Sequence, residues 1–477
     1  MMRILTGAVL AVLLFAAPAK AVEESFTFGR FGTVKLYQPP TEPSGIVLFI
    51  SGDGGWSKGV VDMARSLARL DAAVVGVDIR RYLRNLDASA DRCSYPAADL
   101  EALSKFVQMR LGITRYRPPV LVGYSSGATL VYAVLAQAPP NTFAGSISLG
   151  FCPDLPVSKP FCRGSGLEGK RSPRGKTYVL APARALSGEW AVLQGRIDQV
   201  CRLDQTKRFV DHVPGAHFVP LPGVGHGFSV ERKWLPQFEE AYAGILRSVE
   251  EHPAVAGAGP DGLPVVELPA QDKRHDILAV VLSGDGGWAG IDREIGEDLQ
   301  RRGIAVAGLN SLRYFWTART PDSTAADVSG MLRHYLRVWN KQRIILIGYS
   351  FGADVLPFVV NRLPADLREA VQLVVLIGPD RGADFEFHLS DWLGGGSGQS
   401  LLPVLPEVRR MRGTKALCIF GTEERHSLCR EMGGDAVSVI ELAGGHHFGG
   451  HYSAIVDRIL KRTGHLPETQ DQGDTPH

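Results

Sequence analysis

The sequence predicts two tandem α/β domains, each built on a mostly parallel sheet with helices on its faces. Short apolar runs alternate with segments of helical period along both halves of the chain, which is the pattern of a parallel sheet with helical crossovers. Three motifs of the first half also recur in the second half in the same order, which indicates that one domain has been duplicated. The length of 477 residues accommodates two such domains.

The repeated motifs keep nearly the same spacing in both halves. Each half contains, in this order, an SGDGGW motif, a G-x-S-x-G motif and a Gly-His pair. The SGDGGW motifs begin 232 residues apart, the serines of G-x-S-x-G lie 225 apart, and the histidines lie 220 apart. The positions are Ser51, Ser125 and His226 in the first half and Ser283, Ser350 and His446 in the second.

The predicted elements follow the same order in both halves, because apolar runs bounded by turn residues predict strands and longer segments of period 3.6 predict helices. The first half is expected to contain a hairpin at 26–37, strands at 46–50, 73–78, 120–122, 145–149, 177–180 and 191–193, and helices at 60–70 and 99–111. The second is expected to contain strands at 278–282, 304–308, 344–347, 373–377 and 416–420, and helices at 293–302 and 325–339. The motifs follow predicted strands, so we expect them to meet at the carboxyl edge of each sheet.

Composition changes along the chain give the domain boundaries. Residues 253–269 are rich in Pro, Gly and Ala, which is typical of a linker. The predicted parts are a signal peptide at 1–21, a first domain at 23–250, a linker at 251–271, a second domain at 272–464 and a flexible tail at 465–477.

The first residues predict export to the periplasm. Arg3 precedes an apolar run at 4–17, and an A-x-A cleavage signal ends at Ala21. A retained membrane anchor is the alternative. No later stretch is apolar over about 18 residues, so the mature chain is expected to be soluble.

Charge excludes one class of partner. The formal net charge is +2, and Arg3 and Lys20 of the predicted leader supply this excess. The mature chain is therefore near neutral and has no basic block, so nucleic-acid binding is not expected.

Six cysteines fit an oxidising, exported compartment. Several pairings are open, since connectivity cannot be deduced from sequence alone. The pairing suggested by short loops is Cys152–Cys162, Cys418–Cys429 and, for the remaining two, Cys93–Cys201.

No C-x-x-C or histidine cluster of metal-site form occurs, and neither a metal nor another cofactor is predicted. His446, His447 and His451 could instead form a metal-binding tract. Their position matches that of the lone His226 in the first half, which favours a catalytic histidine.

Ser350 lies in a predicted nucleophile elbow. The strand at 344–347 ends in GYSFG, and an apolar segment of helical period follows at once. A strand, a sharp turn and a helix are the context in which G-x-S-x-G presents a serine hydroxyl. Ser125 lies in the same context, within GYSSG. Both halves are therefore predicted to be α/β-hydrolase-like domains.

A serine nucleophile needs a histidine to take its proton and a carboxylate to orient that histidine. In this fold the chain order is serine, acid, histidine. The second domain therefore offers Ser350, Glu424 and His446. The alternative acids are Asp380, which follows an earlier strand, and the neighbouring Glu423. The corresponding set in the first domain is Ser125, Asp198 and His226, with Asp154 as its alternative acid.

Backbone N–H groups are expected to bind the oxyanion of the tetrahedral intermediate. One donor is the residue after the serine, Phe351, and the other lies in the SGDGGW loop at Asp285 or Gly286. This loop stands where lipases carry an HGGG-type turn. Trp288 at its end is a candidate substrate contact. Alternatively, the motif is only a tight turn with a packing tryptophan.

Two acids near the elbow are candidates for binding a cationic substrate group. Asp354 lies four residues after Ser350, where the first domain has Thr129, and Glu423 neighbours the predicted triad acid. Asp354 could instead be buried and hydrogen-bonded behind the elbow.

The motifs SGDGGW, GYSFGAD and GHHF of the second half resemble the bacterial virulence protein family VirJ, and the two-domain chain with its leader resembles the longer AcvB members. The resemblance covers nearly the whole mature chain. It implies a periplasmic serine hydrolase that cleaves the aminoacyl ester of lysyl-phosphatidylglycerol, a membrane phospholipid, and releases lysine. The nucleophile position of the family falls on Ser350.

Three questions stay open at this stage. The first domain is either a second active site or a support with a vestigial triad. A non-catalytic periplasmic adaptor that works with secretion-system proteins is one rival function, and a fatty-acyl esterase or lipase is another. Phe385, Phe387, Trp392 and Leu393, beside glycines at 394–398, are candidates for a lid or a lipid-facing loop.

Overall fold

The computed structural model describes residues 22–173, 177–251, 257–270, 275–387, 401–411, 413–433, 437–450 and 452–464. The predicted leader and tail lie outside the described residues. So do His451, Trp392, Leu393 and the glycines at 394–398.

The first domain contains the predicted elements, with their ends shifted by a few residues. Its strands are β1 (Val22–Phe28), β2 (Gly32–Gln38), β3 (Gly45–Ile50), β4 (Ala72–Val77), β5 (Val120–Tyr124), β6 (Gly145–Leu149), β7 (Asp154–Leu155), β8 (Gly169–Arg171), β9 (Tyr178–Leu180), β10 (Glu189–Gly195) and β11 (Ala216–Leu221). Its helices are α1 (Lys58–Ala68), α2 (Ile79–Ala88), α3 (Pro96–Arg110), α4 (Ser126–Gln137), α5 (Leu203–Val210) and α6 (Leu235–Glu251).

The second domain repeats this order. Its strands are β12 (Gly257–Ala258), β13 (Pro264–Leu268), β14 (Ile277–Leu282), β15 (Ala305–Leu309), β16 (Arg343–Tyr349), β17 (Val371–Ile377), β18 (Gly382–Ala383), β19 (Leu402–Pro403), β20 (Ala416–Gly421) and β21 (Val437–Leu442). Its helices are α7 (Gly290–Arg301), α8 (Ser311–Tyr314), α9 (Pro321–Val338), α10 (Phe351–Arg362), α11 (Ala365–Ala370), α12 (Val404–Arg410) and α13 (Tyr452–Arg462). Across the described part of both domains, no helix is long and apolar enough to cross a membrane.

Both domains have the same sheet topology. The strand order is β1-β2-β4-β3-β5-β6-β10-β11 in the first and β12-β13-β15-β14-β16-β17-β20-β21 in the second. The first two strands of each sheet pair antiparallel, and the strands from β4 and from β15 onward pair in parallel. All six residues of β3 and of β14 are buried, as expected for parallel strands covered on both faces. The chain is thus two tandem α/β-hydrolase domains, as predicted.

Part of the predicted linker belongs to the second sheet. Within 251–271, β12 and β13 pair antiparallel with each other, and β13 pairs with β15. They occupy the places of β1 and β2 in the first domain. Val265 and Val266 are buried. The sequence did not predict a strand here because this apolar pair is short and lies among Pro and Gly residues that are typical of a linker. The second domain therefore begins before its predicted boundary at 272.

The predicted strand at 177–180 is also placed differently from expectation. It forms β9, which pairs with β7 and β8 in a separate three-stranded sheet, so it is not a strand of the main sheet.

Two of the three expected disulfides are wrong. The cysteines pair as Cys93–Cys162, Cys152–Cys201 and Cys418–Cys429. Cys152 and Cys201 follow β6 and β10, which are neighbours in the sheet, so their Cα atoms come within 5.2 Å although 49 residues separate them. Three disulfides fit an oxidising, exported compartment.

The two domains pack through the end of α3 and the segment that follows it. The indole N–H of Trp316 in the second domain donates to the backbone oxygen of Ile113 at 2.7 Å. The ring of Tyr116 lies 5.1 Å from that of Trp316, and Tyr116 is buried in the core of the second domain. The α3 helix is thereby held beside the carboxyl edge of the second sheet.

Candidate active site

Both predicted nucleophiles lie in strained turns between a strand and a helix. Ser125 follows β5 with a φ of 55°, and Ser350 follows β16 with a φ of 50°. A serine in this left-handed region costs about 1–3 kcal/mol, so the surrounding structure must impose it. The N–H of Ser350 donates to Ile377 on the neighbouring strand at 2.8 Å, and that of Ser125 donates to Leu149 at 2.9 Å.

The glycines of the elbow are required by close backbone approach. A Cβ on Gly348 would lie 2.4 Å from the backbone oxygen of Gly352. A Cβ on Gly352 would lie 2.1 Å from the backbone oxygen of Leu282. Both distances are far shorter than a van der Waals contact, so only glycine fits and the motif is needed to form the turn.

In the second domain the structure places Glu424, and not Asp380, against the histidine. His446 Nδ1 and Glu424 Oε1 are 2.6 Å apart. Burial raises the pKa of Glu424, but the hydrogen bonds from His446 and from the N–H of Gly421 outweigh it, so the pKa lies below its ordinary value. Glu424 is therefore an anion at neutral pH and can stabilise an imidazolium.

Ser350 and His446 line the same cavity, but the described residues include no hydrogen bond between them. The side chain of His446 is 38% exposed, so the ring has room to turn toward the serine. Such bonds are often long in a substrate-free site and tighten in the complex.

In the first domain the predicted triad is fully connected. Ser125 Oγ and His226 Nε2 are 3.0 Å apart, and His226 Nδ1 and Asp198 Oδ2 are 2.9 Å apart. The other oxygen of Asp198 accepts from the N–H groups of Val200 and Cys201. Burial raises the pKa of Asp198, but the bonds from His226 and Cys201 more than offset this, and its pKa is lowered. Asp154, the alternative acid, is an exposed residue of β7.

The tyrosine before each serine holds the histidine loop, which the sequence interpretation missed. Tyr124 donates to the backbone oxygen of His226 at 2.9 Å. Tyr349 contacts the backbone oxygen of His446 at 3.3 Å and His447 Nδ1 at 3.0 Å. The duplicated GYS was the signal that could have pointed to this role.

The predicted oxyanion loop abuts each nucleophile. The hydroxyl of Ser283 accepts from the N–H of Ser311 at 2.9 Å, which fixes the start of the loop to the start of α8. A Cβ on Gly284 would lie 3.6 Å from the Cβ of Ser350. Asp285 and Gly286 follow, both exposed, and Asp285 lines the cavity with Phe351. The N–H of Phe351 is the first of α10, so it has no acceptor within the helix.

Trp288 lies in the core and not at the substrate side, which corrects its assignment as a substrate contact. It is 5% exposed and packs among the apolar residues between the sheet and α7. A Cβ on Gly308 of β15 would lie 2.0 Å from its ring, so the indole rests directly on that strand. The alternative of a packing tryptophan is thus the one the structure supports.

A cavity of about 820 Å³ opens at Ser350 and is lined by acids. Within the described part of the chain, seven carboxylate side chains and Arg425 line it, together with His426 and His446. The acids are Asp285, Asp354, Asp380, Asp384, Glu386, Glu423 and Glu424. Such a lining favours a cationic group over a neutral or anionic one.

Asp354 is both buried and part of the cavity wall. It is 8% exposed, and its Oδ1 accepts from the N–H of Asp380 at 2.6 Å. Burial, with Asp380 and Asp285 nearby, raises its pKa well above the ordinary value. Asp354 was predicted either to bind a cationic substrate group or to be buried and hydrogen-bonded behind the elbow. The two predictions are compatible, because Asp354 holds the backbone of Asp380 and also lines the cavity.

A second cavity, of about 860 Å³, lies between the domains and meets the first at Ser350, Asp285 and His446. The α3 helix of the first domain forms one wall. Lys105 Nζ on this helix donates to the backbone oxygen of Asp285 at 3.1 Å and pairs with Glu101 at 2.9 Å. Burial lowers the pKa of Lys105, but Glu101 and Asp285 raise it by more, so the ammonium stays charged. This contact across the domains could not be read from the sequence.

Asp292 is another residue that the sequence interpretation missed. It lies in the first turn of α7, lines the interdomain cavity and is 3% exposed. One oxygen accepts from the N–H of Gly284 at 3.5 Å, and the other has no partner in the described part of the chain. Burial raises its pKa well above the ordinary value. An acid in the first turn of a helix is common, so the sequence held no signal.

The described lid candidates are core residues. Phe385 and Phe387 are 5% and 6% exposed, and the ring of Phe387 lies 4.8 Å from that of Phe351. Phe387 thus packs against the elbow and Phe385 packs against Phe358 of α10, which corrects the expectation of a lipid-facing loop for these two residues.

The described residues contain no group of three or more His, Cys, Asp or Glu side chains arranged to hold a metal. His447, a member of the alternative metal tract, contacts Tyr349, and His446 contacts Glu424.

Several solved structures resemble one half of the chain in fold. The esterase domain of a Rhodothermus marinus protein is 18% identical and covers 48% of this chain and 99% of its own, with a TM-score of 0.33. A serine hydrolase without a lid from Xanthomonas campestris is 18% identical and covers 49% and 96%, with a TM-score of 0.31. A serine hydrolase homologue from Coxiella burnetii is 19% identical and covers 49% and 100%, with a TM-score of 0.30.

Comparison of the sequence with curated proteins finds no significant match. The model of one protein family, the bacterial virulence protein VirJ, matches residues 44–146 and 276–465. The two segments make up more than half of the chain and contain both nucleophile elbows, which confirms the resemblance carried by the motifs. This chain therefore belongs to the VirJ family of bacterial virulence proteins.

Proposed function

We propose that this protein is an exported serine hydrolase that cleaves the aminoacyl ester of lysyl-phosphatidylglycerol and releases lysine and phosphatidylglycerol. The observation that carries the proposal is the acid-lined cavity at Ser350, whose charge suits a lysyl group with two amines. The contact of His446 with Glu424 and the family membership support hydrolysis by a serine.

The cavity discriminates by charge. Two opposite unit charges about 4 Å apart attract by about 4 kcal/mol at the effective dielectric of a protein surface. Asp354 gains most from such a partner, because a bound ammonium would favour its charged form against the burial that raises its pKa. Glu423, exposed at the rim, is placed for the second amine. An aminoacyl group with a neutral side chain brings only its α-amine, so one of these two acids would stay without a cation.

The site provides the groups for acyl transfer. Ser350 Oγ attacks the ester carbonyl while His446 takes its proton, and Glu424 stabilises the imidazolium. The N–H groups of Phe351 and of the loop at Asp285 are the expected donors to the oxyanion. His446 then protonates the leaving glycerol oxygen, and water cleaves the lysyl-enzyme by the same steps in reverse.

The two cavities give the ester a space on each side of Ser350. We assign the lysyl group to the cavity lined by the seven acids and the alcohol side of the ester to the interdomain cavity. Because α3 forms a wall of the second space, the first domain takes part in binding the substrate of the second.

Export to the periplasm belongs to the proposal. The predicted leader at 1–21 and the three disulfides support it. The substrate is then the head group of a membrane phospholipid that the enzyme reaches from the periplasmic side. Secretion-system proteins are the partners that the adaptor alternative would require.

A substrate panel tests the proposal. Purified mature protein is given lysyl-phosphatidylglycerol, alanyl-phosphatidylglycerol and plain phosphatidylglycerol in detergent micelles, and release of amino acid and fatty acid is followed by mass spectrometry. We expect kcat/KM for the lysyl ester to exceed that for the alanyl ester by at least about tenfold, as for one ion-pair difference, with no fatty-acid release that depends on Ser350.

Two variants accompany the panel. Ser350→Ala removes the nucleophile, and Ser25→Ala, which changes an exposed serine on an edge strand, is the matched control. Fatty-acid release that is lost in Ser350→Ala would favour a lipase at this site. A folded wild type without activity on any ester would favour the adaptor.

A further inference from the structure

We propose that the first domain is a second serine hydrolase site, with Ser125 as nucleophile and an uncharged, apolar acyl ester as its class of substrate. This proposal is independent of the one for Ser350, because the two sites lie in separate domains and share no residue.

The first observation is that the hydrogen-bond relay is complete. The hydroxyl of Ser125 contacts His226, His226 contacts Asp198, and Asp198 is 6% exposed and held by three further N–H donors, from Val200, Cys201 and the side chain of Gln194. A lowered pKa keeps Asp198 ionised at neutral pH, as an acid that orients a histidine requires.

The groups expected to bind the oxyanion are also present beside Ser125. A Cβ on Gly52 would lie 2.9 Å from the Cβ of Ser125, so the SGDGGW loop abuts this nucleophile as its copy abuts Ser350. The hydroxyl of Ser51 accepts from the N–H of Ile79 at 3.1 Å and fixes the loop. The N–H of Ser126 is the first of α4 and has no acceptor within that helix.

The substrate class follows from the positions that line the acid cavity of the second domain. Counted from the serine, Asp354 corresponds to Thr129. Counted from the glycine that ends β10 and β20, Glu423 corresponds to Ile197 and His426 to Val200. At these three positions the first domain has a hydroxyl and two aliphatic side chains where the second has two carboxyl groups and an imidazole.

The two aliphatic side chains are open to solvent. Ile197 is 62% exposed and Val200 is 66% exposed, and they flank Asp198 on the loop that carries it. Aliphatic side chains at such exposure stay in contact with water until a ligand covers them. Each CH₂ group that a ligand removes from water contributes about 0.8 kcal/mol to the binding free energy. An acyl chain seated on this loop would cover them, whereas a lysyl group would find no carboxylate in place of Asp354 or Glu423.

The reaction is ester hydrolysis in two steps. Ser125 Oγ forms a bond to the acyl carbon as His226 takes the hydroxyl proton, and the bond to the alcohol oxygen breaks as His226 returns that proton to it. Water then attacks the acyl-serine with His226 as base, which frees the carboxylic acid and restores Ser125.

The test uses the full-length mature protein in a Ser350→Ala background, so that only the first domain can react. A fluorophosphonate probe is added, and the modified serine is located by peptide mass spectrometry. Hydrolysis of p-nitrophenyl butyrate is measured on the same protein and on the Ser125→Ala/Ser350→Ala double variant. We expect the label on Ser125, and a loss of at least about 10³-fold in kcat/KM in the double variant.

A third protein tests the substrate class. Ile197→Glu in the Ser350→Ala background introduces the residue type of the second domain, and we expect kcat/KM for p-nitrophenyl butyrate to fall about tenfold while the probe still labels Ser125. Absence of label on Ser125 overturns the second site, whatever occurs at Ser350. A label on Ser125 with unchanged butyrate hydrolysis in Ile197→Glu overturns the apolar substrate class. Lysine release by Ser350 is measured separately, so failure of one proposal is distinguishable from failure of the other.

Discussion

Lys105 of the first domain is predicted to hold the oxyanion loop of the second domain in place. Its side chain is 7% exposed and makes two polar contacts, with the backbone oxygen of Asp285 at 3.1 Å and with Glu101 at 2.9 Å. Lys105→Met keeps a side chain of similar length on α3 and removes the charge together with both contacts.

The substitution has two effects of different origin. Glu101, itself 21% exposed, loses its partner, which is expected to cost about 2–3 kcal/mol of unfolding free energy, somewhat less than for a fully buried pair. The loop at Asp285 loses its tie to α3. Complete removal of one oxyanion donor costs about 10²–10³ in kcat, so a displaced donor is expected to cost about tenfold.

A double variant separates the two effects. In Glu101→Gln/Lys105→Met neither charge remains, so most of the lost stability should return. The loop still lacks the hydrogen bond from Lys105 to the backbone oxygen of Asp285, so kcat should stay about tenfold below the wild type. Urea unfolding and steady-state lysine release are measured on the same preparations, with Glu101→Gln alone as control. Wild-type kcat in Lys105→Met, or recovery of kcat together with stability in the double variant, would refute the positioning role.

Three further predictions concern the second domain. Glu424→Gln leaves His446 without an anion, so kcat should fall about 10³–10⁴-fold in the lysine-release assay; a fall below tenfold would point to another acid. The raised pKa of Asp354 means that its contribution to stability is fully present below about pH 4 and is lost as pH rises toward the folded pKa. Asp354→Asn should therefore lose less unfolding free energy than the wild type between about pH 4 and pH 8, and equal loss in urea titrations would contradict this. The Cys418–Cys429 bridge closes the loop that carries Glu424. Cys418→Ala/Cys429→Ala should therefore lower the free energy of unfolding by about 2–3 kcal/mol, measured by urea unfolding, and should also lower kcat. Unchanged kcat would show that the loop keeps its place without the bridge.

The fold and most of the triad could be predicted from the sequence. Buried strands such as β3 and β14 are continuous apolar runs, and the duplicated motifs fix which strands correspond. The offset of Glu424 and Asp198 from the glycine that ends their strands identified the acids, because duplication preserved the loop. The structure places His446 against Glu424 rather than Asp380, and His226 against Asp198 rather than Asp154.

What the sequence could not supply depends on contacts between distant segments. The pairing of Cys152 with Cys201 follows from the adjacency of β6 and β10, which local patterns do not encode. The tie between Lys105 and Asp285 depends on how the domains pack. The burial of Trp288 against Gly308 depends on the loop turning toward the sheet, so the motif alone left its role open.

The most direct test of the central claim is the rate of lysine release from lysyl-phosphatidylglycerol by the wild type, Ser350→Ala and Ser125→Ala. If Ser350 is the nucleophile, Ser350→Ala should lose at least about 10³-fold in kcat/KM, and Ser125→Ala should release lysine at a rate close to that of the wild type. Wild-type activity in Ser350→Ala, or loss in Ser125→Ala alone, would contradict the assignment of the lysyl ester to the second domain.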